Sequence, residues 1–236
     1  MHRSLLQIEE VHTFIGPFHI LQGISLEVAE GTATVVLGRN GAGKTTMLRS
    51  IMGLYPPRMG RILLQSTPIN GMRPHEIASK GVAYVPEDRW IFTGLTVEEN
   101  LRLAWRGRSK FGEKLEFIFS IFPGLRHLLK RDGGKLSGGE QQMLNIARAL
   151  INENVLLLID EPSKGLAPIL IEQLKSALNK LKGQVTFLLV EQNIALASAL
   201  ADRCYVLDNG RIVYQGSVGE LIHDKELGQK LLGVGV

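Results

Sequence analysis

Nine consecutive residues, Gly38-Arg39-Asn40-Gly41-Ala42-Gly43-Lys44-Thr45-Thr46, carry the spacing G-x-x-x-x-G-K-[ST]. Each part of that spacing suits a polyphosphate. Glycines let the loop wrap its backbone N–H groups round phosphate oxygens, and the start of a helix adds partial positive charge. Lys44 would reach the β- and γ-phosphates, and the Thr45 hydroxyl would hold Mg²⁺. The pattern is specific only between a strand and a helix. Here Ala33 to Leu37 reads as a buried strand and Lys44 to Met52 as a helix.

A second segment, Val155-Leu-Leu-Leu-Ile-Asp160-Glu161, is an apolar strand ending in two acids. It sets adjacent carboxylates at the carboxyl edge of a sheet, where α/β proteins bind ligands. Successive side chains point opposite ways, so the two acids need not share a task. Asp160 fits the Mg²⁺ shell, directly or through water, and Glu161 fits a general base for an attacking water. A third segment, Leu136-Ser137-Gly138-Gly139-Glu140-Gln141-Gln142, opens a helix that runs to Leu150. Ser137 and Glu140 are spaced as a capping box. The two glycines between them cost helix stability and leave N–H groups bare, which suits a helix end that meets an anion.

These segments need a frame. Leu5 to Phe14, Ile24 to Val28, Gly81 to Val85 and Val185 to Val190 read as further strands, and Ile169 to Leu181 and Ile194 to Ala201 as helices. Strands alternating with helices predict an α/β fold with a mostly parallel sheet covered on both faces. Asn209-Gly210, between Tyr205–Leu207 and Ile212–Tyr214, predicts a type I′ hairpin. From about Asp88 to Ile151 the alternation stops, and Val97–Trp105, Phe111–Phe122 and Gly138–Leu150 all read as helices. The expected organisation is a single domain over 1–236, with a helical sub-domain at 88–151 inserted between core segments 1–87 and 152–236.

Composition narrows the class. The chain has 236 residues, 44% hydrophobic and 21% charged, too apolar for disorder. Its 27 Lys and Arg against 23 Asp and Glu leave +4, a mild excess. The densest basic cluster, Trp105 to Lys110, reads as a solvated helix end and not as a nucleic-acid footprint. One cysteine, Cys204, excludes an internal disulfide, and the six histidines show no ligand-like spacing for zinc. Glu9 and Glu10 fall where a signal peptide would need an apolar stretch, and no apolar run is long enough to span a bilayer. The expectation is a soluble protein of a reducing compartment.

In this order, Gly38 to Thr45, Leu136 to Gln142 and Val155 to Glu161 resemble the Walker A, signature and Walker B motifs of ABC transporter ATPases. The likeness runs from about Leu5 to Gly216. It implies a P-loop, RecA-like ATPase core with an antiparallel β sub-domain and a helical sub-domain carrying the signature. It also implies ATP and Mg²⁺, and an active site shared by two chains. Ser137, Gly138, Gly139 and Glu140 of one chain would meet the ATP held by the Gly38–Thr46 loop of the other. Lys44, Glu161 and Gln192 would be catalytic, and Thr45, Asp160 and Glu87 would surround the metal.

Some family positions are substituted. Glu87 stands where many members have glutamine, Gln192 where many have histidine, and Ala167 where an aspartate is usual. Together with Gly165-Leu-Ala-Pro168, Val190-Glu-Gln-Asn193 and Gln141 to Leu144, they resemble ATPases of branched-chain amino-acid importers, with urea and short-amide importers as the alternative. Gln192 cannot accept a proton at neutral pH, so it can orient groups but the base role falls on Glu161. Glu87 could bind Mg²⁺, and without the metal it would repel a γ-phosphate. The family's adenine-stacking aromatic, just before Gly16, is replaced by Ile15 with Phe14 beside it. Strand neighbours face opposite ways, so one of the two takes the role but not both.

The resemblance implies partners as well: a second ATPase chain, membrane permease subunits, indirectly a solute-binding protein, and no nucleic acid. It sets the chain on the cytoplasmic face of the inner membrane. Trp90, Ile91 and Phe92 form an apolar run that either packs under the helical sub-domain or receives a short permease helix. A soluble, non-transport ABC ATPase acting on DNA or ribosomes is disfavoured, since the chain has neither long heptad arms nor a second cassette. A GTPase is disfavoured because Asn179-Lys180 is followed by Leu181-Lys182 and not by the guanine motif.

Overall fold

Short buried runs and a few long alternating strands build two sheets. The computed structural model describes residues 3–107, 110–223 and 228–229. Arg108 and Ser109 of the basic cluster, and His2, lie outside the described residues. The strands are β1 (Ser4–Ile15), β2 (Phe18–Ala29), β3 (Ala33–Leu37), β4 (Met59–Leu64), β5 (Thr67–Pro68), β6 (Val82–Val85), β7 (Leu156–Asp160), β8 (Thr186–Glu191), β9 (Arg203–Asp208) and β10 (Arg211–Gly216). The helices are α1 (Lys44–Ile51), α2 (Pro74–Ser79), α3 (Val97–Ala104), α4 (Phe111–Ile121), α5 (Gly138–Leu150), α6 (Pro168–Leu181), α7 (Ile194–Leu200) and α8 (Val218–His223).

The larger sheet has the order β10-β9-β3-β8-β7-β6, parallel throughout except for the β9–β10 hairpin. Every residue of β3, β7 and β8 is buried, as expected of strands covered on both faces. The period of two divides β7 between the two faces. Leu157 and Ile159 join a cluster with Leu101, Ile118, Leu144 and Leu178, while Leu156 and Leu158 join one with Leu6, Ile24, Met47 and Ile62. The helices α3, α4 and α5 therefore share a core with one face of the sheet.

The second sheet, β2-β1-β4-β5, is antiparallel. β1 and β2 are longer than their apolar patterns predict, because register shifts let them bend round one face of the core. β4, β5 and α2 were not legible in sequence: half of β4 is exposed, and α2 has one buried residue, Ile77. α5 starts and stops where expected. The hairpin turn has Asn209 at φ 45° and Gly210 at φ 76°, as a type I′ turn requires. A Cβ on Gly210 would lie 2.0 Å from the Ile20 carbonyl oxygen, so only glycine fits.

Candidate active site

The loop from β3 into α1 forms the first half of the site. A side chain at Gly38 would put its Cβ 2.3 Å from the Leu207 carbonyl oxygen, so the loop leaves β3 pressed against β9. Lys44 turns back over the loop it ends. Its Nζ donates to the Gly38 carbonyl at 2.8 Å and the Arg39 carbonyl at 3.0 Å, and lies 2.9 Å from Glu161 Oε1. Gly210 N–H donates to the Ala42 carbonyl at 2.9 Å.

The second half is the carboxyl edge of β7 and β8. Asp160 is wholly buried and accepts hydrogen bonds from Thr45 Oγ1 at 3.0 Å and the Tyr84 hydroxyl at 2.8 Å. Burial pushes its carboxyl above the ordinary aspartate value, against the pull of those two donors. Burial and the Asp160 charge push the Tyr84 phenol up in turn, so it stays a donor. Glu161 has φ 41°, a left-handed conformation that turns the chain sharply off the strand. Gln192 Nε2 donates to both of its oxygens at 3.0 Å and to Asn40 Oδ1 at 2.6 Å. Burial alone would raise the Glu161 pKa; the Gln192 amide and the Lys44 ammonium outweigh it and hold the carboxyl below the ordinary range.

Lys44, Thr45 and Glu161 border one cavity of about 340 Å³, lined also by Asn40, Gly41, Gly43, Thr46, Glu87 and Lys164. Sequence reasoning did not single out Lys164, Tyr84 or Glu191. Lys164 pairs with Glu87 and lies 3.8 Å from Glu161 Oε2. Tyr84 is visible only through its place in β6, beside the acid-bearing strand. Glu191, 2% exposed, accepts the backbone N–H groups of Ser163, Gln192 and Asn193 at 2.9–3.0 Å.

Other expected residues stand apart from this cavity. Ser137 caps α5, accepting from Glu140 N at 3.4 Å while Glu140 Oε2 accepts from Ser137 N at 2.7 Å. Ser137 and Gly138 are exposed, Gly139 is buried, and none of the four lines the cavity of its own chain. Phe14 is half-buried, with His19 stacked 4.1 Å away and the Arg58 guanidinium 4.5 Å over its ring. Ile15 is exposed at the hairpin tip opposite Phe18. Of the apolar run, Ile91 packs on the core, while Trp90 is 53% and Phe92 45% exposed. Trp90 meets Tyr84 edge-on and borders a groove of about 320 Å³ with Met52, Leu54, Ala149 and Arg148.

A glycine-rich loop and two acids thus meet at the carboxyl edge of a parallel sheet. The family description "ABC transporter" matches residues 21–164. The chain belongs to the ABC transporter family. This ABC ATPase is 39% identical over 232 residues to the high-affinity branched-chain amino acid transport ATP-binding protein BraG of Pseudomonas aeruginosa, covering 97% of this chain and all of that one. It is 36% identical to the probable branched-chain amino acid transport ATP-binding protein LivF of Archaeoglobus fulgidus, covering 92% of this chain and 93% of that one. A solved nucleotide-free ATP-binding cassette from an ABC transporter superposes with a TM-score of 0.83 at 27% identity, over 99% of this chain and all of that one. The protein is thus an ATP-binding, ATP-hydrolysing cassette, and cassettes of this family dimerise and act with permeases. Among the described residues no helix is long and apolar enough to cross a membrane.

The donor set around Thr45 suits a hard cation. Thr45 Oγ1, the Asp160 carboxylate and the Glu87 carboxylate offer only oxygen, the ligand class of Mg²⁺. Among the described residues no group of three or more His, Cys, Asp or Glu could hold a metal unaided. Phosphate oxygens would have to complete such a shell, as is usual for Mg²⁺ at nucleotide sites.

Proposed function

We propose that this ABC ATPase powers the import of branched-chain amino acids, on the cytoplasmic face of the cell membrane, with permease subunits and a solute-binding protein as partners. Lys44, Thr45 and Glu161 on one cavity, with Asp160 bonded to Thr45 and Gln192 bonded to Glu161, carry the mechanistic part of this reading. The likeness to BraG and LivF carries the solute. The loop Gly38–Thr46 wraps the triphosphate and Lys44 balances its charge. Thr45, Asp160 and Glu87 would hold Mg²⁺, which when bound would neutralise phosphate charge. Glu161 takes the proton of the attacking water, and Gln192 keeps its carboxylate aimed and ionised. Ile15 is the face offered to adenine, since the Phe14 ring is already covered by His19 and Arg58.

The exposed helix start at Ser137–Glu140, carried on the helical unit 88–151, meets the γ-phosphate bound by a second chain, so ATP is the glue of a closed dimer. The groove beside Trp90 receives the permease.

Replacing Glu161 by glutamine tests the assignment. The variant should bind ATP, form an ATP-held dimer and turn over almost none, because an amide cannot accept the proton. Parent-like hydrolysis by the purified variant would overturn the base. Vesicles carrying the assembled transporter should take up labelled leucine and not urea; the reverse preference rejects the solute and leaves the ATPase chemistry standing.

A further inference from the structure

Two lysines stand on either side of one carboxylate. Lys44 Nζ lies 2.9 Å from Glu161 Oε1, and Lys164 Nζ lies 3.8 Å from Glu161 Oε2. Lys164 sits in the turn between β7 and α6, and its ammonium is also paired with Glu87 across the mouth of the cavity. The turn that carries it is tied down on both sides. The Lys164 carbonyl accepts from the Arg89 guanidinium at 3.3 Å, and the neighbouring Ser163 N–H donates to the buried Glu191 carboxylate at 2.9 Å. The Lys164 side chain itself is half-exposed on a long flexible stem, so its head can turn while its base stays fixed.

The charge balance of the cavity gives Lys164 a task. A triphosphate seated on Lys44 arrives beside both Glu161 and Glu87, and like charges at that spacing oppose binding. Lys44 answers only the first of the two acids. Lys164, charged as any lysine is at physiological pH, sits beside the second.

We propose that Lys164 is a second phosphate-binding cation of this site: it neutralises Glu87 in the empty cavity and swings to the γ-phosphate when ATP enters. This rests on the nucleotide-site reading given above. Lys164 and Glu87 then work as a pair. The lysine makes the unusual acid tolerable before the metal arrives, and the acid keeps the lysine parked at the cavity mouth. ADP, lacking the γ-phosphate, gains little from it.

The test is a set of calorimetric titrations with ATP and ADP on Lys164→Leu, Lys164→Arg, Glu87→Gln and the Lys164→Leu/Glu87→Gln double variant, each in EDTA and in Mg²⁺. Lys164→Leu should weaken ATP about tenfold in EDTA, the scale of one charge-assisted phosphate contact, and ADP by less than about twofold. Lys164→Arg should stay within about twofold of the parent for ATP, and adding Glu87→Gln to Lys164→Leu should recover the part of the loss that comes from the unopposed Glu87 charge. Unchanged ATP affinity in Lys164→Leu, an equal loss for ADP, or no recovery in the double variant overturns the proposal. Thermal unfolding of each ligand-free variant identifies a folding defect; if Lys164→Leu has one, retention of ATP affinity by Lys164→Gln overturns the proposal and its loss supports it. Lys44→Ala is the separate control. If it keeps parent affinity for ATP, the phosphate site itself is misassigned; if it loses ATP while Lys164→Leu does not, only the role of Lys164 falls.

Discussion

Glu191→Gln changes one atom in a fully buried junction. Glu191 Oε1 accepts from Ser163 N, and Oε2 accepts from both Gln192 N and Asn193 N. A glutamine has one acceptor oxygen and one NH₂. Its better orientation keeps the oxygen on Gln192 and Asn193 and turns the NH₂ onto the Ser163 N–H, donor against donor. The opposite orientation would strand two N–H groups and is worse. Stranding one buried N–H and losing its charged partner costs about 2 kcal/mol. For a chain of this size that lowers Tm by about 4–8 °C. The functional effect follows from what the junction holds. Ser163 begins the turn after Glu161, and Gln192 fixes the Glu161 carboxylate, so kcat should fall at least about tenfold with KM within about threefold. Scanning calorimetry and steady-state ATP hydrolysis measure both. A Tm within about 1 °C of the parent together with unchanged kcat would refute the reasoning, because the carboxylate would then be holding neither loop.

Tyr84→Phe removes a donor from buried Asp160 and should cost about 1–2 kcal/mol in denaturant unfolding; a change below about 0.3 kcal/mol would contradict the geometry. The Glu161 pKa is depressed in the folded chain, so the stability it lends is complete above the ordinary glutamate value and lost as pH falls through the lower folded one. Unfolding curves at pH 7 and about pH 3.5 should therefore diverge more for the parent than for Lys44→Met, and parallel curves would refute the pairing. Gly210→Ala forces a Cβ against the Ile20 carbonyl at a positive φ, so it should destabilise by more than about 1 kcal/mol and weaken ATP binding; unchanged Tm and affinity would count against the turn's role. Trp90→Ser with Phe92→Ser should abolish assembly with permeases and leave Tm nearly intact, whereas Ile91→Ser should lower Tm; equal thermal losses would make all three core residues.

The loop at Gly38, the acids at Asp160 and Glu161 and the capped helix at Ser137 were legible because each joins a fixed spacing to an apolar strand or a helix start. The buried strands β3, β7 and β8 were legible for the same reason, being unbroken apolar runs. What stayed hidden depends on distant partners. Glu191 follows an apolar strand and looks like an exposed end, yet it is buried because three backbone donors from two loops surround it. Lys164 looks like a solvent-facing turn residue until the fold brings Glu87, seventy-seven positions away, beside it. β4 and α2 carry too little buried apolar surface to stand out by periodicity.

The turn at Asn209-Gly210 has a consequence for how ligand entry divides its energy. Gly210 donates to the Ala42 carbonyl and accepts from Gln22 N–H at 2.8 Å, so the Gly38–Thr46 loop is tied to a hairpin of one sheet and, through it, to a strand of the other. Ordering a free loop costs about 1–2 kcal/mol per residue. Backbone hydrogen bonds from the Ala42 N–H and to its carbonyl supply part of that order from within the fold, so a ligand at the loop has less of it to supply. Around Glu87 and Lys164 the backbone turns are hydrogen-bonded as well, and the freedom that remains is that of the half-exposed Lys164 side chain. A loop anchored through its backbone thus stands beside one long side chain that can still turn, so a ligand at this cavity can be met by a side-chain rotation with no refolding of the loop.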